Sequence, residues 1–287
     1  MWTRSWRPRR HSRGSRILAA LVALLGGTAA SPCTAQTAEV PVDLELVIAV
    51  DVSGSIDVEE ARLQRDGYVG AFANADVIGA ITGGMLGRIA VTYIEWAGAR
   101  HSRTVIDWTL LDGPASARAF SAALADSPIE TELWTSISHA IDVSIPKFGQ
   151  NRFAGARKVI DISGDGPNNQ GGLVTHFRDR AVAAGITING LPIVNDRPGP
   201  WGWPAMPDLD LYYAACVIGG NGAFYVVANS FADFARAVRQ KLLLEIAGRT
   251  PDGGRERLIK AASREPERKP PPCDAGERRV HWLLDER

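Results

Sequence analysis

A short apolar segment of this chain ends in a cluster of oxygen-bearing side chains. Residues 44–50 (LELVIAV) are nearly all apolar, which predicts a strand that is buried on both faces of a sheet. Asp51, Ser53 and Ser55 follow directly in the pattern Asp-x-Ser-x-Ser. A carboxylate and two hydroxyls at a strand end are hard oxygen ligands, which suit Mg²⁺ or Mn²⁺. Short Asp/Ser/Gly strings are also common in turns, so a turn without a metal is an alternative.

Two further segments place polar residues at the same predicted edge of a sheet. Residues 156–163 (ARKVIDIS) are predicted to form a second buried strand, and the loop after it contains Asp165. Ligands bind at the carboxyl ends of the strands in an open parallel sheet, so Asp165 is expected beside Asp51. Thr135 lies just before a helical pattern and is a candidate for a third hydroxyl ligand.

Strand and helix patterns alternate between residues 42 and 248, and this predicts one α/β domain. The three-residue link 98–100 indicates an antiparallel hairpin at one edge. We therefore expect a doubly wound, mostly parallel sheet with one antiparallel edge strand and helices on both faces. The predicted strands cover residues 42–50, 88–96, 102–108, 156–163, 186–192 and 223–228. Predicted helices follow a capping box at Asp57 and Glu60 and occupy residues 115–125, 136–146, 173–184 and 231–248.

The order Asp51, Ser53, Ser55, Thr135, Asp165 resembles the metal-ion-dependent adhesion site (MIDAS) of von Willebrand factor type A (vWA) domains. The resemblance covers residues 42–248. Secreted bacterial vWA proteins of unknown function are similar also in the segments DVSGSI, SGDGPNN and VIGG. Two departures from the family pattern occur: ELWT replaces the usual Gly-Gly-Thr, and SGDG replaces the usual Thr-Asp-Gly, which is expected to shift the loop.

The resemblance implies a vWA fold and a Mg²⁺ site, with Mn²⁺ as a further candidate. It implies that Ser53, Ser55 and Thr135 bind the cation through neutral hydroxyls, and that Asp51 and Asp165 bind it through water or directly. It also implies that a carboxylate on a partner protein completes the coordination.

Five residues are candidates for a partner-binding rim around this site. The loop 195–207 contains two tryptophans beside prolines, and aromatic side chains on a stiff loop are good interface anchors. The same tryptophans could instead fold back over the core. The two asparagines could line the rim or only shape a turn, and the glutamate could be a solvated acid at a helix start. These residues are Glu132, Asn168, Asn169, Trp201 and Trp203.

The leading hypothesis is an extracytoplasmic protein-binding module, used for adhesion or complex assembly, with no enzymatic activity. A metal-dependent hydrolase or phosphatase with Asp51 as nucleophile is one alternative, although such phosphatases place a second acid where this chain has Ser53. The chain lacks the usual zinc-protease, nucleophile-elbow, phosphate-loop and dinucleotide motifs. A metal-free structural scaffold is the other alternative.

The N-terminal segment has the pattern of a secretory signal peptide. Residues 1–16 contain six arginines and no acid, and the apolar run at residues 17–27 is followed by small residues. That run is shorter than the about 20 residues that span a bilayer. Cleavage after Ala35 predicts a periplasmic or secreted protein, with an uncleaved anchor or twin-arginine export as alternatives. The remaining chain has 26 basic and 32 acidic residues, which gives no reason to expect nucleic acid or an anionic membrane as a partner.

The C-terminal residues 249–287 differ in composition from the body. They are charged and rich in proline, which predicts a disordered extension. Signal cleavage would remove Cys33 and leave Cys216 and Cys273. In an oxidising compartment these two could form a disulfide that joins the tail to the body. Alternatively, Cys216 is a small buried residue and Cys273 is a free thiol.

Overall fold

The computed structural model describes residues 39–195, 204–248 and 268–285. The strands are β1 (Val40–Val42), β2 (Glu45–Asp51), β3 (Ile89–Trp96), β4 (Ser102–Leu111), β5 (Phe153–Gly155), β6 (Lys158–Gly164) and β7 (Thr187–Pro192). A five-stranded sheet in the order β4-β3-β2-β6-β7 lies at the centre, and β1 and β5 form a separate parallel pair. All neighbours in the large sheet are parallel except β3 and β4, which confirms the predicted mixed sheet with one antiparallel edge strand.

Helices cover both faces of the sheet, as the doubly wound fold requires. Strand β2 is buried along its whole length, and alternate residues enter two cores. Leu46 and Ile48 pack with the helices of one face, and Val47 and Ala49 pack with those of the other. The helices are α1 (Val58–Ala73), α2 (Ala75–Thr82), α3 (Pro114–Asp126), α4 (Ile137–Ser144), α5 (Val174–Ala183), α6 (Leu209–Tyr212), α7 (Phe234–Ala247) and α8 (Ala275–Asp285).

The predicted start of α1 is confirmed. Asp57 Oδ1 accepts a hydrogen bond from the Glu60 N–H at 2.8 Å, and Glu60 Oε2 accepts one from the Asp57 N–H at 3.1 Å. This reciprocal capping box satisfies two backbone donors at the helix start. Helix α1 therefore begins a few residues after the end of β2, and the Asp51–Ser55 loop lies between them.

The predicted strand at residues 223–228 is wrong. Tyr225 and Ala228 form only isolated bridges to Gly190 and Ile193 beside β7. The segment runs parallel to β7, with hydrogen bonds from Val226 N–H and Ala228 N–H to the carbonyls of Gly190 and Pro192. Pro192 has no N–H of its own, so it cannot donate the next bond of the ladder, and the pairing is interrupted there.

The C-terminal segment also departs from its prediction between residues 268 and 285. Helix α8 (Ala275–Asp285) forms there, and a disulfide joins Cys273 to Cys216, with 5.4 Å between the two Cα atoms. Of the two alternatives for the cysteines, the structure therefore contains the disulfide. Cys216 lies in the five-residue π-helical turn Tyr213–Val217 that continues α6. In the parts of the chain described above, no helix combines the length and the apolar character needed to cross a membrane.

Candidate metal site

The first loop of the site is anchored by the end of β2. Asp51 is the last residue of that strand and is fully buried. Its Oδ1 accepts a 2.7 Å hydrogen bond from the Ser53 N–H, which turns the chain sharply after the strand. The hydroxyls of Ser53 and Ser55 lie 3.1 Å apart. The Asp-x-Ser-x-Ser pattern therefore gathers one carboxylate and two hydroxyls on the same side of this loop.

Asp165 joins this group from the end of β6. Because β2 and β6 are parallel neighbours, their carboxyl ends meet at the same edge of the sheet. The Ser55 hydroxyl donates a 2.6 Å hydrogen bond to Asp165 Oδ1. Although SGDG replaces the Thr-Asp-Gly of the family pattern, Asp165 still contacts the Asp51–Ser55 loop directly.

Thr135 belongs to a loop that packs between the other two. The Glu132 N–H donates to the Val52 carbonyl at 3.0 Å, which attaches this loop to the first one. The Thr135 N–H donates to Asn169 Oδ1 at 2.9 Å, and the Asn169 N–H returns a bond to the Thr135 carbonyl at 2.8 Å. Thr135 is buried, and its Oγ1 lies 3.9 Å from the point where a Cβ on Gly166 would stand. Thr135 is therefore held against the Asp165 loop, although ELWT replaces the usual sequence.

Burial and neighbouring acids disfavour the charged forms of the two carboxyl groups of the site. Burial raises the pKa of Asp51 well above its usual range, and the nearby Asp165 carboxylate raises it further. Burial also raises the pKa of Asp165 to about 6, with Glu60 contributing in the same direction and the Ser55 hydrogen bond opposing it. Two carboxyl groups near one another in a buried setting favour either a proton or a cation between them.

The donor atoms fit a hard divalent cation. Among the described residues, Asp51 Oδ2 is buried without a hydrogen-bond partner, and an unpaired buried carboxylate oxygen is costly. The same part of the chain contains no cluster of three His, Cys, Asp or Glu side chains that could hold a metal. A cation at this site would therefore depend on the hydroxyls of Ser53, Ser55 and Thr135 together with two carboxylates. Such an oxygen set suits Mg²⁺ or Mn²⁺ better than a soft metal.

Gly164 gives a physical reason for the unusual SGDG loop. A Cβ at this position would lie 2.8 Å from Asp51 Oδ2 and 2.9 Å from the Tyr213 hydroxyl. Contacts that short would force the Asp51 carboxylate or the tyrosine to move. Glycine at this position leaves the space in front of Asp51 Oδ2 free of carbon.

Tyr213 is a neighbour of the site that the sequence patterns do not predict. It is fully buried, and its hydroxyl has no hydrogen-bond partner among the described residues. Burial raises the pKa of Tyr213, and the Asp51 carboxylate raises it further. Tyr213 reaches Asp51 from the π-helical turn, and no local pattern in the sequence signals that approach.

The predicted rim residues differ in how far they are exposed to solvent. Glu132 is exposed, as expected for a rim residue. Asn168 is fully buried, and its side chain bonds to the Ser138 N–H and to the Gly172 carbonyl. Asn169 is partly buried and holds Thr135. Trp201 and Trp203 lie outside the described residues.

Two apolar side chains beside Glu132 on the Thr135 loop are exposed. Leu133 is 56% exposed and Trp134 is 40% exposed. Trp134 also has a φ of +68°, a left-handed conformation that is uncommon for a bulky residue. The loop that carries Thr135 thus presents an apolar pair next to the buried oxygen cluster.

The element order and the mixed sheet are those of a vWA-type α/β fold. The solved structures that match it include proximal thread matrix protein 1 from the mussel byssus, with a TM-score of 0.52 at 16% identity over 73% of this chain and 49% of that one. The pilus adhesin SpaC from Lactobacillus rhamnosus GG matches with a TM-score of 0.51 at 14% identity, over 72% of this chain and 30% of the adhesin. A von Willebrand factor type A structure from Catenulispora acidiphila gives 0.51 at 14% identity, over 71% and 43%.

These likenesses show the fold, and this chain spans about half or less of the length of each of those proteins. No curated protein matches the chain. The chain belongs to the family described as "Protein of unknown function (DUF1194)", whose sequence model matches residues 41–250.

Proposed function

We propose that this protein is an extracytoplasmic protein-binding module that holds Mg²⁺ at its strand-end cluster and captures an acidic residue of a partner protein. One observation carries the proposal: within the described residues, Oδ2 of the buried Asp51 carboxylate has no hydrogen-bond partner, and it lies beside a second carboxylate and two hydroxyls that contact one another. A protein-interaction role is also in keeping with the vWA fold, which this chain shares with an adhesin.

Each residue has a separate part in this proposal. The hydroxyls of Ser53, Ser55 and Thr135 supply neutral oxygen ligands, and Asp51 and Asp165 supply the negative charge. Gly164 keeps the space in front of Asp51 open. When bound, Mg²⁺ would supply positive charge and coordination positions that a carboxylate of the partner can fill. Few charged ligands leave the cation attractive to such a carboxylate.

The exposed residues beside the cluster are the proposed contact surface. Glu132, Leu133 and Trp134 are all exposed on the Thr135 loop. Aromatic and aliphatic anchors beside a polar contact are common in interfaces. Trp201 and Trp203 remain proposed rim residues on the sequence argument alone.

The extracytoplasmic location is supported by two independent features. The Cys216–Cys273 disulfide is of the kind that persists in oxidising compartments. The basic, then apolar, N-terminal segment has the pattern of an export signal. We therefore propose that the protein acts in the periplasm or outside the cell.

Calorimetric titration of Mg²⁺ and Mn²⁺ into EDTA-stripped protein tests the cation site. The wild type is expected to bind one cation, and Asp51→Ala is expected to lose the binding heat. Asp57→Ala is the matched control, because it removes a nearby carboxylate whose part is to cap α1. Equal binding by the two variants would refute the metal assignment.

Acetate then serves as a probe for the partner's carboxylate. If a carboxylate completes the coordination, acetate should raise the apparent Mg²⁺ affinity of the wild type, and reciprocal linkage requires Mg²⁺ to raise the acetate affinity equally. Acetamide, which has the same shape without the charge, should have no effect. A cation affinity that is indifferent to acetate would indicate a purely structural ion and would contradict the capture of an acidic residue.

A further inference from the structure

The C-terminal segment from residue 268 lies against the loops of the candidate metal site, and a disulfide and two ion pairs hold it there. The Cys216–Cys273 disulfide attaches it to the π-helical turn that also contains Tyr213. Arg268 forms ion pairs with Asp208 at 2.7 Å and with Asp210 at 2.5 Å. These links hold the start of the segment beside α6, and helix α8 follows directly.

Helix α8 makes a direct contact with the Asp165 loop through Asn168. Glu277 Oε1 accepts a 2.7 Å hydrogen bond from Asn168 Nδ2. A Cβ added to Gly276 would lie 2.0 Å from the Asn168 carbonyl oxygen, so the backbone of α8 approaches the loop too closely for any larger residue. The contact therefore includes both a charged acceptor and a backbone fit.

Asn168 and its neighbour Asn169 connect this contact with α8 to the Thr135 loop and the start of α4. Its Oδ1 accepts a 2.9 Å hydrogen bond from the Ser138 N–H at the start of α4. The next residue, Asn169, holds the Thr135 N–H through its own Oδ1. Asn168 is thus the point at which α8 touches a turn shared by two of the three loops of the site.

A second connection runs from the tail to the same residue. The Asn168 N–H donates to the Tyr212 hydroxyl at 3.2 Å, and that hydroxyl donates to the Cys273 carbonyl at 3.4 Å. The disulfide therefore fixes Cys273 at a place where its carbonyl also meets the hydrogen-bond chain to Asn168.

We propose that α8 is a positioning element of the cation site, in which Glu277 acts through Asn168 to hold Asp165 and Thr135, and the disulfide keeps α8 in place. This inference rests on the proposed cation site. A hydroxyl-rich site has few charged ligands, so its affinity depends on loops that are already in the right place. Partners of metal-ligating groups often change metal affinity by about tenfold or more when they are removed.

Glu277→Ala is the central variant, and it is compared with Glu277→Gln and Arg278→Ala. The glutamine retains a carbonyl oxygen that can accept from Asn168 Nδ2. Arg278 pairs with Asp274 on the exposed side of the helix. Calorimetry should show Mg²⁺ and Mn²⁺ affinities about tenfold below the wild type in Glu277→Ala. The affinities of Glu277→Gln should lie within about threefold of the wild type, and those of Arg278→Ala should equal it.

Amide hydrogen exchange in the metal-free protein provides a readout that does not require the cation. The Ser138 and Thr135 amides, which donate to Asn168 and Asn169, should exchange faster in Glu277→Ala than in the wild type. A change in melting temperature without a change in these amides or in cation affinity would assign Glu277 a merely structural part and overturn the inference.

The double variant Cys216→Ala/Cys273→Ala tests separately whether the disulfide holds α8 in place. It should reproduce the loss of cation affinity while circular dichroism shows that the body stays folded. If the wild type binds the cation and all the variants bind it equally well, the positioning inference fails and the proposed function stands. If the wild type binds no cation, both fail together.

Discussion

The Ser55 hydroxyl donates a 2.6 Å hydrogen bond to Asp165 Oδ1 and so joins two loops that are 110 residues apart in the sequence. The bond is possible because β2 and β6 are parallel neighbours whose ends meet. It holds a hydroxyl and a carboxylate in direct contact. The two loops are therefore fixed against each other by a side-chain bond between two proposed ligands.

Ser55→Ala should weaken both the loop contact and the cation site. Loss of one hydrogen bond to a charged group at a partly exposed position is expected to lower the free energy of unfolding by about 1 kcal/mol. Mg²⁺ affinity should fall further than that stability change explains, because a hydroxyl ligand is also lost. Urea denaturation and calorimetry measure the two effects separately.

Ser127→Ala is the control for this experiment. Its hydroxyl donates to the Ala123 carbonyl at an exposed helix end, away from the strand-end cluster. Cation binding that is equally strong in Ser55→Ala and Ser127→Ala would show that the Ser55 hydroxyl is not a ligand.

The parts of the site that lie at strand ends were predictable from the sequence. Apolar runs before Asp51 and Asp165 identify two buried strands, and parallel strands bring their carboxyl ends together. The positions of Tyr213 and Glu277 were not predictable. Both reach the site through contacts between residues distant in sequence, and such contacts leave no local periodicity. The charge and proline content of the tail predicted disorder. That prediction took no account of the disulfide that anchors the segment to the body.

An ion pair between Arg65 and Glu95 links α1 to β3. Both side chains are nearly fully buried, and Arg65 also donates to the carbonyls of Leu124 and Ser127 at 2.9 Å. Arg103 reaches the other oxygen of Glu95 at 2.6 Å. Glu95→Ala should therefore lower the free energy of unfolding by about 3–5 kcal/mol, because it leaves a buried guanidinium without its carboxylate.

The exposed pair of Asp142 and Arg180 is the comparison for that measurement. Both of its side chains are about half exposed, and exposed ion pairs contribute about 0–1 kcal/mol. Asp142→Ala should thus change the urea midpoint little. A loss as small in Glu95→Ala as in Asp142→Ala would mean that the buried network contributes nothing specific to stability.

Asp161 should make stability depend on pH. It lies buried in β6, 2.5 Å from Lys241 Nζ, and its other titratable neighbours are Glu245, Tyr68 and Tyr213. Burial raises the pKa of Asp161 to about 7, and Glu245 adds to the rise while Lys241 opposes it. The folded protein then keeps a proton that the unfolded chain releases near pH 4. Its contribution to stability is full below about pH 4 and is lost as the pH rises through about 7.

Asp161→Asn should flatten the stability profile over this range. One such group changes the free energy of unfolding by at most about 1.4 kcal/mol for each pH unit. Urea denaturation at several values from pH 4 to pH 8 measures the slope. Asp66→Asn removes a carboxyl from an exposed position of α1 and should leave the slope as in the wild type. An unchanged slope in Asp161→Asn would place the pKa of Asp161 outside this window.

The left-handed backbone of Trp134 predicts an unusual order of stability among its variants. Its φ of +68° is tolerated by asparagine but costs a β-branched residue about 1–2 kcal/mol. Both Trp134→Asn and Trp134→Val remove the ring, so the comparison isolates the backbone. The asparagine variant should be the more stable by about 1 kcal/mol, although valine is the more apolar, and it should retain more of the cation affinity because Thr135 follows directly. A valine variant of equal or greater stability would mean that this loop relaxes out of the left-handed conformation at no cost.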